Sequence, residues 1–140
     1  PADDDYSVHK ASKLAEEAVS MKLVRLEQIE REPVQAALFT GEVGRQTILA
    51  SGESPDFNMS VVHFPKGIRN KLHTHSHDQI LIVTSGRGIV ANEHEQHVVT
   101  VGDVIRIPAG ERHWHGATDD SDFAHITITP AGSRTTQLED

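Results

Sequence analysis

The sequence predicts an all-β protein, either a sandwich or a barrel, and three observations support this fold class. After Pro33, short runs rich in β-branched residues follow one another at close spacing. Clusters of Gly, Pro, Asn and Asp separate these runs, as expected of turns between strands. A helical rhythm of apolar residues occurs only before Pro33. Because a closed barrel leaves few unpaired strand edges, we favour a barrel.

Residues 1–32 are expected to form a partly helical extension or arm. Residues 1–7 are acidic, and we expect them to be frayed. In residues 8–18 apolar side chains recur at the i, i+3, i+4 spacing of an amphipathic helix, which Ser7 could cap. Residues 21–32 fit a second helix or a strand, and Pro33 ends them. The segment is expected to serve packing or dimer formation.

Residues 33–130 are expected to form the barrel. The predicted strands are the β-rich runs at 37–40, 44–50, 57–64, 71–75, 79–84, 88–92, 96–101, 104–107, 112–116 and 123–129. Turns are expected at the breaker clusters 51–55, 65–67, 85–88, 92–95, 102–103, 108–111 and 118–121. The remaining residues, 131–140, are polar and are expected to form a loose tail.

Composition narrows the classes of function. A chain of 140 residues and 15.4 kDa can bury one core without needing a metal in order to fold, so a metal would serve chemistry. The absence of cysteine excludes disulfides, thiolate nucleophiles and iron–sulfur clusters, and leaves nitrogen and oxygen as metal ligands. The formal net charge of −8 and the absence of a basic stripe disfavour nucleic acid as a partner. A small molecule, neutral or anchored by a metal, is the expected ligand.

The sequence also lacks the segments that direct a chain to a membrane. No apolar run approaches the roughly 20 residues that would span a bilayer. The first residues, PADDDYSVHK, lack the basic and apolar regions of a signal peptide. We therefore expect a cytoplasmic protein with no membrane partner.

A histidine-rich run in residues 67–86, GIRNKLHTHSHDQILIVTSG, predicts a metal site. His73, His75, His77 and Gln79 are spaced by two residues, and a strand directs such side chains to one face. Neutral imidazole is the commonest protein ligand of divalent metals, and a His-x-His pair can chelate one. His77 is expected to fall on the turn before the next strand, at the solvent or at the pocket mouth.

A second histidine pair lies in residues 102–116, GDVIRIPAGERHWHG. The Pro-Ala-Gly sequence predicts a tight turn, after which a strand places His113 and His115 on one face and Trp114 on the other. His113 then supplies the third imidazole, so that three imidazoles and the Gln79 amide converge on one ion. His115 is a candidate for orienting the ligands or contacting substrate.

The predicted strand 123–129 carries a third candidate group. His125, Thr127 and Thr129 alternate with apolar residues and therefore share one face. If that face lines the lumen beside a metal, His125 is suited to act as a general acid or base. On the strand 57–64, the sequence alone does not decide which alternate set faces inward.

The two histidine motifs together resemble the two motifs of cupins. The first cupin motif is matched by Gly67, His73, His75, Gln79 and Gly86, with glutamine in the place of the usual glutamate. The second is matched by Gly102, Pro108, Gly110 and His113, with Ala117 where the family has asparagine. The resemblance covers about residues 39–129. It implies a jelly-roll β-barrel, also called a double-stranded β-helix, with a metal near its centre, and it implies a homodimer.

The resemblance also implies roles for individual residues. The positions that match the cupin metal ligands are His73, His75, Gln79 and His113. The motifs are most similar to a subset with three histidines and one glutamine that includes manganese-dependent hydroxynitrile lyases. In that subset a histidine on the last barrel strand moves a proton near the metal, and His125 matches it. The same resemblance suggests that Ser60 and Val62 line the substrate pocket, and Thr127 beside His125 is expected to face it too.

Glutamine in place of glutamate at position 79 bears on the type of reaction. An amide leaves the full dipositive charge of the ion to act on substrate, which favours Lewis-acid chemistry over one-electron chemistry. We therefore expect a metal-dependent lyase or isomerase acting on a small hydroxy or carbonyl compound, with manganese as the ion and iron, nickel, zinc or copper as alternatives. The ligand set is also similar to that of cupins that rearrange unsaturated uronates. A metal-dependent dioxygenase and a non-catalytic small-molecule-binding cupin stay open as alternatives.

Overall fold

The computed structural model describes residues 20–140, and this part of the chain is built almost wholly of strands. A short 3-10 helix at Leu26–Gln28 precedes ten strands in the described residues: β1 (Glu32–Val34), β2 (Val43–Leu49), β3 (Phe57–Phe64), β4 (His73–His75), β5 (Gln79–Asn92), β6 (Gln96–Thr100), β7 (Val104–Ile107), β8 (His113–Ala117), β9 (Phe123–Pro130) and β10 (Thr135–Gln137). The helix predicted at 8–18 lies outside the described residues. Within 20–140, no helix has the length and apolar character needed to cross a membrane.

The strands form two antiparallel sheets that share β5. The first sheet has the order β1-β2-β3-β9-β5-β7, and the second has the order β6-β5-β8-β4-β10. The first half of β5 pairs with β7 and β9, and its second half pairs with β6 and β8. Since β5 passes from one sheet into the other, the two sheets close over one interior. The predicted all-β jelly-roll barrel is confirmed.

The continuity of β5 corrects the turn expected at 85–88. The strand runs through this stretch with a register shift between Val83 and Ser85. Gly86 has φ +70°, a conformation that glycine adopts without strain, and a Cβ there would overlap the carbonyl oxygen of Asp122. The breaker residues therefore bend the strand instead of ending it.

The interior changes from apolar to polar along β3 and β9. Phe64 is paired with Phe123, Val62 with His125, and Ser60 with Thr127. Phe64 and Phe123 are each 1% exposed and belong to the main core, together with Leu81 and Val83. The inward face of the two strands thus carries an aromatic end and a hydroxyl end.

The residues just before β1 pack on the outer face of the first sheet. Val24, Leu26 and Ile29 contact a cluster that contains Val61. The buried Gln46 amide of β2 donates to the carbonyl oxygens of Leu26 at 2.6 Å and of Ile29 at 2.9 Å. Apart from the 3-10 turn, the segment predicted as helix or strand is irregular until β1 begins at Glu32.

Two further local predictions are wrong. Residues 37–40 form a turn with a single bridge between Phe39 and Asn70 instead of a strand. The tail 131–140 is not loose, because β10 pairs with β4, and Leu138 N–H donates to the Leu72 carbonyl at 2.8 Å. The tail supplies partners to backbone groups of the ligand-bearing strand β4, which would otherwise form an edge. That need arises from the fold and is not visible in the polar composition of the tail.

Candidate metal centre

Three histidines converge at the polar end of the barrel. His73 on β4 lies opposite His113 on β8, and His75 follows two residues later on the same strand. One ring nitrogen from each of the three lies within 4.8 Å of the other two. Gln79, at the start of β5, is 4% exposed, and its Oε1 is 3.2 Å from His113 Nε2. The four residues predicted from the motifs are thus brought together.

Hydrogen bonds at the outer ring nitrogens leave lone pairs for a cation. His73 Nδ1–H donates to the Lys71 carbonyl at 2.6 Å, and His113 Nδ1–H donates to the Glu111 carbonyl at 2.9 Å. Each of these rings therefore has a free lone pair at Nε2. His75 Nε2 is buried without a partner, and its Nδ1 is 3.0 Å from Thr135 Oγ1.

The environment also keeps the imidazoles neutral. Burial, with the nearby His113 as the second cause, lowers the pKa of His73 to about 3 and that of His75 to about 4. Burial also lowers the pKa of His113. At pH 7 all three rings are in the neutral form that binds metals. Between His113 Nε2 and Gln79 Oε1 two acceptors face each other, an arrangement that a bound cation stabilises. The residues therefore fit a metal ion, and three nitrogens with one amide oxygen suit several divalent transition metals.

A chain of hydrogen bonds that links a second set of side chains adjoins this cluster. The backbone N–H of His115 donates to Asn70 Oδ1 at 2.8 Å, so Asn70 Nδ2 is the donor toward the His115 ring, 3.2 Å from Nε2. His115 Nδ1–H then donates to His125 Nε2 at 3.0 Å, and His125 Nδ1–H donates to Thr127 Oγ1 at 3.0 Å. Burial lowers the pKa of His125 to about 4 and that of His115 well below its usual value. The direction of the whole chain follows from the Asn70 amide.

Asn70 is a residue that sequence reasoning missed. It is 3% exposed, and it contacts His115 from a position 45 residues away in the chain. An isolated asparagine before a strand predicts a turn and no functional role. Its position three residues before the His-x-His pair is the local signal that could have drawn attention to it.

The cluster opens to a cavity of about 190 Å³. The pocket residues predicted from the sequence, Ser60, Val62 and Thr127, all line it, as do His73, His75, Gln79 and His115. The other lining residues are Leu38, Phe39, Arg45, Phe64, Asn70, Thr129, Ser133 and Thr135.

His113 and His125 are not among the lining residues, and both are at most 1% exposed. His125 therefore reaches the cavity through His115, whereas the sequence placed it beside the metal. A larger hollow near Arg31 and His63 contains none of the four predicted ligands.

The remaining aromatic candidates lie away from the cluster. His77 is exposed and bonded to Ser76 Oγ at 2.8 Å, in the turn where the sequence placed it. Trp114 has the Arg69 guanidinium 4.7 Å from its ring centroid, a cation–π contact on the face of β8 opposite His113 and His115. Neither side chain lines the cavity.

Comparison with known proteins agrees with this architecture. Residues 60–129 match the sequence model of Cupin_2, described as a cupin domain. An (R)-mandelonitrile lyase from Granulicella tundricola is 34% identical over 91 residues, which are 64% of this chain and 70% of that protein. An acireductone dioxygenase from Pseudomonas aeruginosa is 32% identical over 60 residues, which are 40% of this chain and 33% of the dioxygenase. The chain thus spans only about a third of the dioxygenase.

Solved structures show the same fold. A cupin-like protein from Thermotoga maritima superposes with a TM-score of 0.75 at 30% identity, covering 81% of this chain and 89% of that one. The polyketide cyclase RemF from Streptomyces resistomycificus superposes with a TM-score of 0.76 at 16% identity, covering 86% and 87% of the two chains, and shows a shared fold alone. The residues matched to the family include all three histidines of the cluster. The chain belongs to the cupin family.

Proposed function

We propose that this cupin is a metal-dependent lyase or isomerase acting on a small hydroxy or carbonyl compound, with cyanohydrin cleavage as the specific case. The observation that carries the proposal is the convergence of three neutral, buried imidazoles and one uncharged amide beside a small cavity. The similarity to a mandelonitrile lyase over 70% of that protein supports the lyase assignment.

In this proposal His73, His75, His113 and Gln79 hold a divalent ion, with manganese expected. Bound there, the ion would supply Lewis acidity that lowers the pKa of a substrate hydroxyl. All four side chains are uncharged at pH 7, so none of them neutralises the charge of the ion.

His115 and His125 are proposed to move the proton. Both are neutral at pH 7, and His115 is the one that lines the cavity. In cyanohydrin cleavage the substrate hydroxyl gives its proton to His115 Nε2, and the carbon–carbon bond to the nitrile breaks. Cyanide leaves with the bonding electron pair and takes the proton back, which yields hydrogen cyanide and a carbonyl compound. His125 accepts the Nδ1–H of His115 and thereby keeps Nε2 unprotonated. Nε2 accepts a hydrogen bond from Asn70 Nδ2, and it would exchange that bond for the substrate proton when it acts as the base.

A dioxygenase is the second candidate, because the chain is also similar to part of acireductone dioxygenases. The same four side chains would then hold iron or copper, and the reaction would consume oxygen. Dependence on oxygen separates the two candidates.

The test combines metal analysis with an activity assay. We expect the purified protein to contain a divalent metal and to release hydrogen cyanide from mandelonitrile at the same rate with and without oxygen. His73→Ala should lose the metal and the activity, whereas His97→Ala, at an exposed histidine bonded to Glu95, should keep both. Full metal occupancy in His73→Ala would refute the metal site, and turnover that requires oxygen would replace the lyase by the dioxygenase.

A further inference from the structure

We infer that the substrate is a short carboxylate that carries a hydroxyl or carbonyl group, and that Arg45 and Ser133 help to bind it. This inference rests on the proposed function and specifies the substrate class of the same cavity. Two independent observations carry it, a buried hydroxyl and an exposed guanidinium that both line the cavity and have no side-chain partner within the described residues.

The first observation concerns hydrogen bonding. Among the buried side-chain polar atoms of residues 20–140, two have no partner, namely His75 Nε2 and Ser133 Oγ. Both residues line the same cavity. An unsatisfied buried polar atom is costly, so native proteins rarely keep one without a reason. Metal binding accounts for His75, and a substrate oxygen in the cavity would account for the Ser133 hydroxyl.

The second observation concerns charge. Arg45 of β2 lines the cavity and lies opposite Val62 of β3. Its cross-strand neighbour on β1 is Glu32, and within the described part of the chain no carboxylate oxygen lies within 4.0 Å of its guanidinium. Arg45 is exposed as well as part of the cavity wall, so a ligand in the cavity can reach it.

The rest of the cavity wall agrees with an anionic ligand. The described lining contains neither Asp nor Glu, although the chain carries 21 acidic residues and a formal net charge of −8. The histidines in it are neutral, and Gln79 stands where a cupin usually has a carboxylate. A site with a guanidinium and no negative group attracts an anion, and arginine binds carboxylates through charge-assisted hydrogen bonds.

The size and polarity of the cavity narrow the class further. Its volume of about 190 Å³ is below the roughly 300–1,000 Å³ of pockets for drug-sized ligands, so the substrate is small. Five hydroxyl side chains contribute to its polar wall: Ser60, Thr127, Thr129, Ser133 and Thr135. Among the compounds of the proposed function, a cyanohydrin would use the metal and His115, whereas a hydroxy or oxo acid would also occupy the Ser133 hydroxyl and the guanidinium. The charge of the lining thus favours an anion among the small ligands, neutral or anchored by a metal, that the composition suggests.

The test compares two probes of nearly equal shape, L-lactate and L-lactamide, titrated calorimetrically into the protein loaded with Mn²⁺. We expect lactate to bind more tightly than lactamide. In Arg45→Gln this preference should fall by roughly twofold to fivefold, because an ion pair with an exposed side chain is worth up to about 1 kcal/mol, and Arg45→Lys should keep part of it. Ser133→Ala should weaken the binding of both probes by a similar factor of about two to ten.

The controls distinguish the effect of Arg45 on the preference for lactate from the effect of the metal. A metal ion by itself also favours a carboxylate over an amide. Arg87→Gln removes an exposed arginine outside the cavity and should keep the wild-type preference. An unchanged preference in Arg45→Gln, equal binding of the two probes to the wild type, or no binding of either would overturn the assignment of Arg45. Unchanged affinities in Ser133→Ala would overturn that of Ser133. Because the readout is binding, a protein that shows the Arg45 effect without turning over any hydroxy or carbonyl compound would refute the proposed function alone.

Discussion

At the scale of single residues, Asn70 sets the tautomers of two buried histidines. Its amide cannot be turned round, since its Oδ1 must accept the backbone N–H of His115. The Nδ2 group is therefore a donor, and every hydrogen bond from His115 to His125 and Thr127 takes its direction from it. One buried side chain thus decides which nitrogen of His115 carries the proton and which one accepts a hydrogen bond.

Asn70→Asp should reverse this chain of hydrogen bonds. A carboxylate is acceptor-only at neutral pH, so the oxygen facing the His115 ring requires N–H at Nε2. We expect ¹⁵N ring shifts of the labelled, metal-free protein to move from the Nδ1–H form of His115 to a form protonated at Nε2. Asn58→Asp, on a part of β3 outside the chain of bonds, is the matched control and should leave the shifts unchanged. Persistence of the Nδ1–H form in Asn70→Asp would show that Asn70 does not direct the chain.

The grouping of the four candidate ligands could be predicted from the sequence because their signal is local. A two-residue spacing on one strand and a fixed motif on a second place His73, His75, Gln79 and His113 without knowledge of the fold. Arg45 and Ser133 carry no such signal, because only the closed barrel brings them to the same cavity as the histidines. The role of His125 was assigned by its matching position, but only the packing shows that His115 stands between it and the cavity.

At the scale of elements, β10 supports the strand that carries two ligands. Thr135 lies opposite His75, and its hydroxyl is 3.0 Å from His75 Nδ1. Thr136, on the same strand, is exposed and does not line the cavity. The alternation of side chains along β10 thus provides one threonine at the site and one away from it.

Thr135→Val should weaken metal binding by roughly tenfold or more, because partners that orient a ligating histidine are worth about 10- to 100-fold in affinity. Thr136→Val removes the same hydroxyl on the opposite face and should leave the affinity unchanged. Competition with a chromogenic chelator measures both values. Equal affinities in the two variants would mean that the Thr135 hydroxyl does not orient His75.

Elements with a strong local pattern were predicted well, and those that depend on tertiary pairing were not. The strands Phe57–Phe64 and Val104–Ile107 have the predicted bounds, since alternation and flanking turns define them. The bend in β5 and the pairing of β10 depend on partners elsewhere in the chain, namely the Asp122 carbonyl and β4. Residue propensities alone predict a turn at a glycine-containing bend and a loose conformation for a polar tail.

At the scale of the whole molecule, the barrel buries imidazoles that would titrate with their ordinary pKa in the unfolded chain. The pKa values of His73, His75 and His125 are lowered to about 3, 4 and 4, while the ordinary value is 6.5. At pH values between the lowered pKa values and 6.5, the unfolded chain binds more protons than the folded one. The free energy of unfolding therefore rises with pH in this range. Stability is therefore greatest above pH 6.5 and is lost as the pH falls toward 4.

Urea unfolding of the chelator-treated protein should show this loss directly. Each fully titrating group contributes about 1.4 kcal/mol per pH unit, so the free energy of unfolding should fall by several kcal/mol between pH 7.5 and pH 5. His125→Gln removes one buried titrating group and should flatten the dependence by about one group, whereas His97→Gln, at an exposed site, should not. Equal stability at the two pH values would mean that the buried rings take up protons as readily as those of the unfolded chain. Burial would then not lower their pKa values, and the low pKa values given above for His73, His75 and His125 would be wrong.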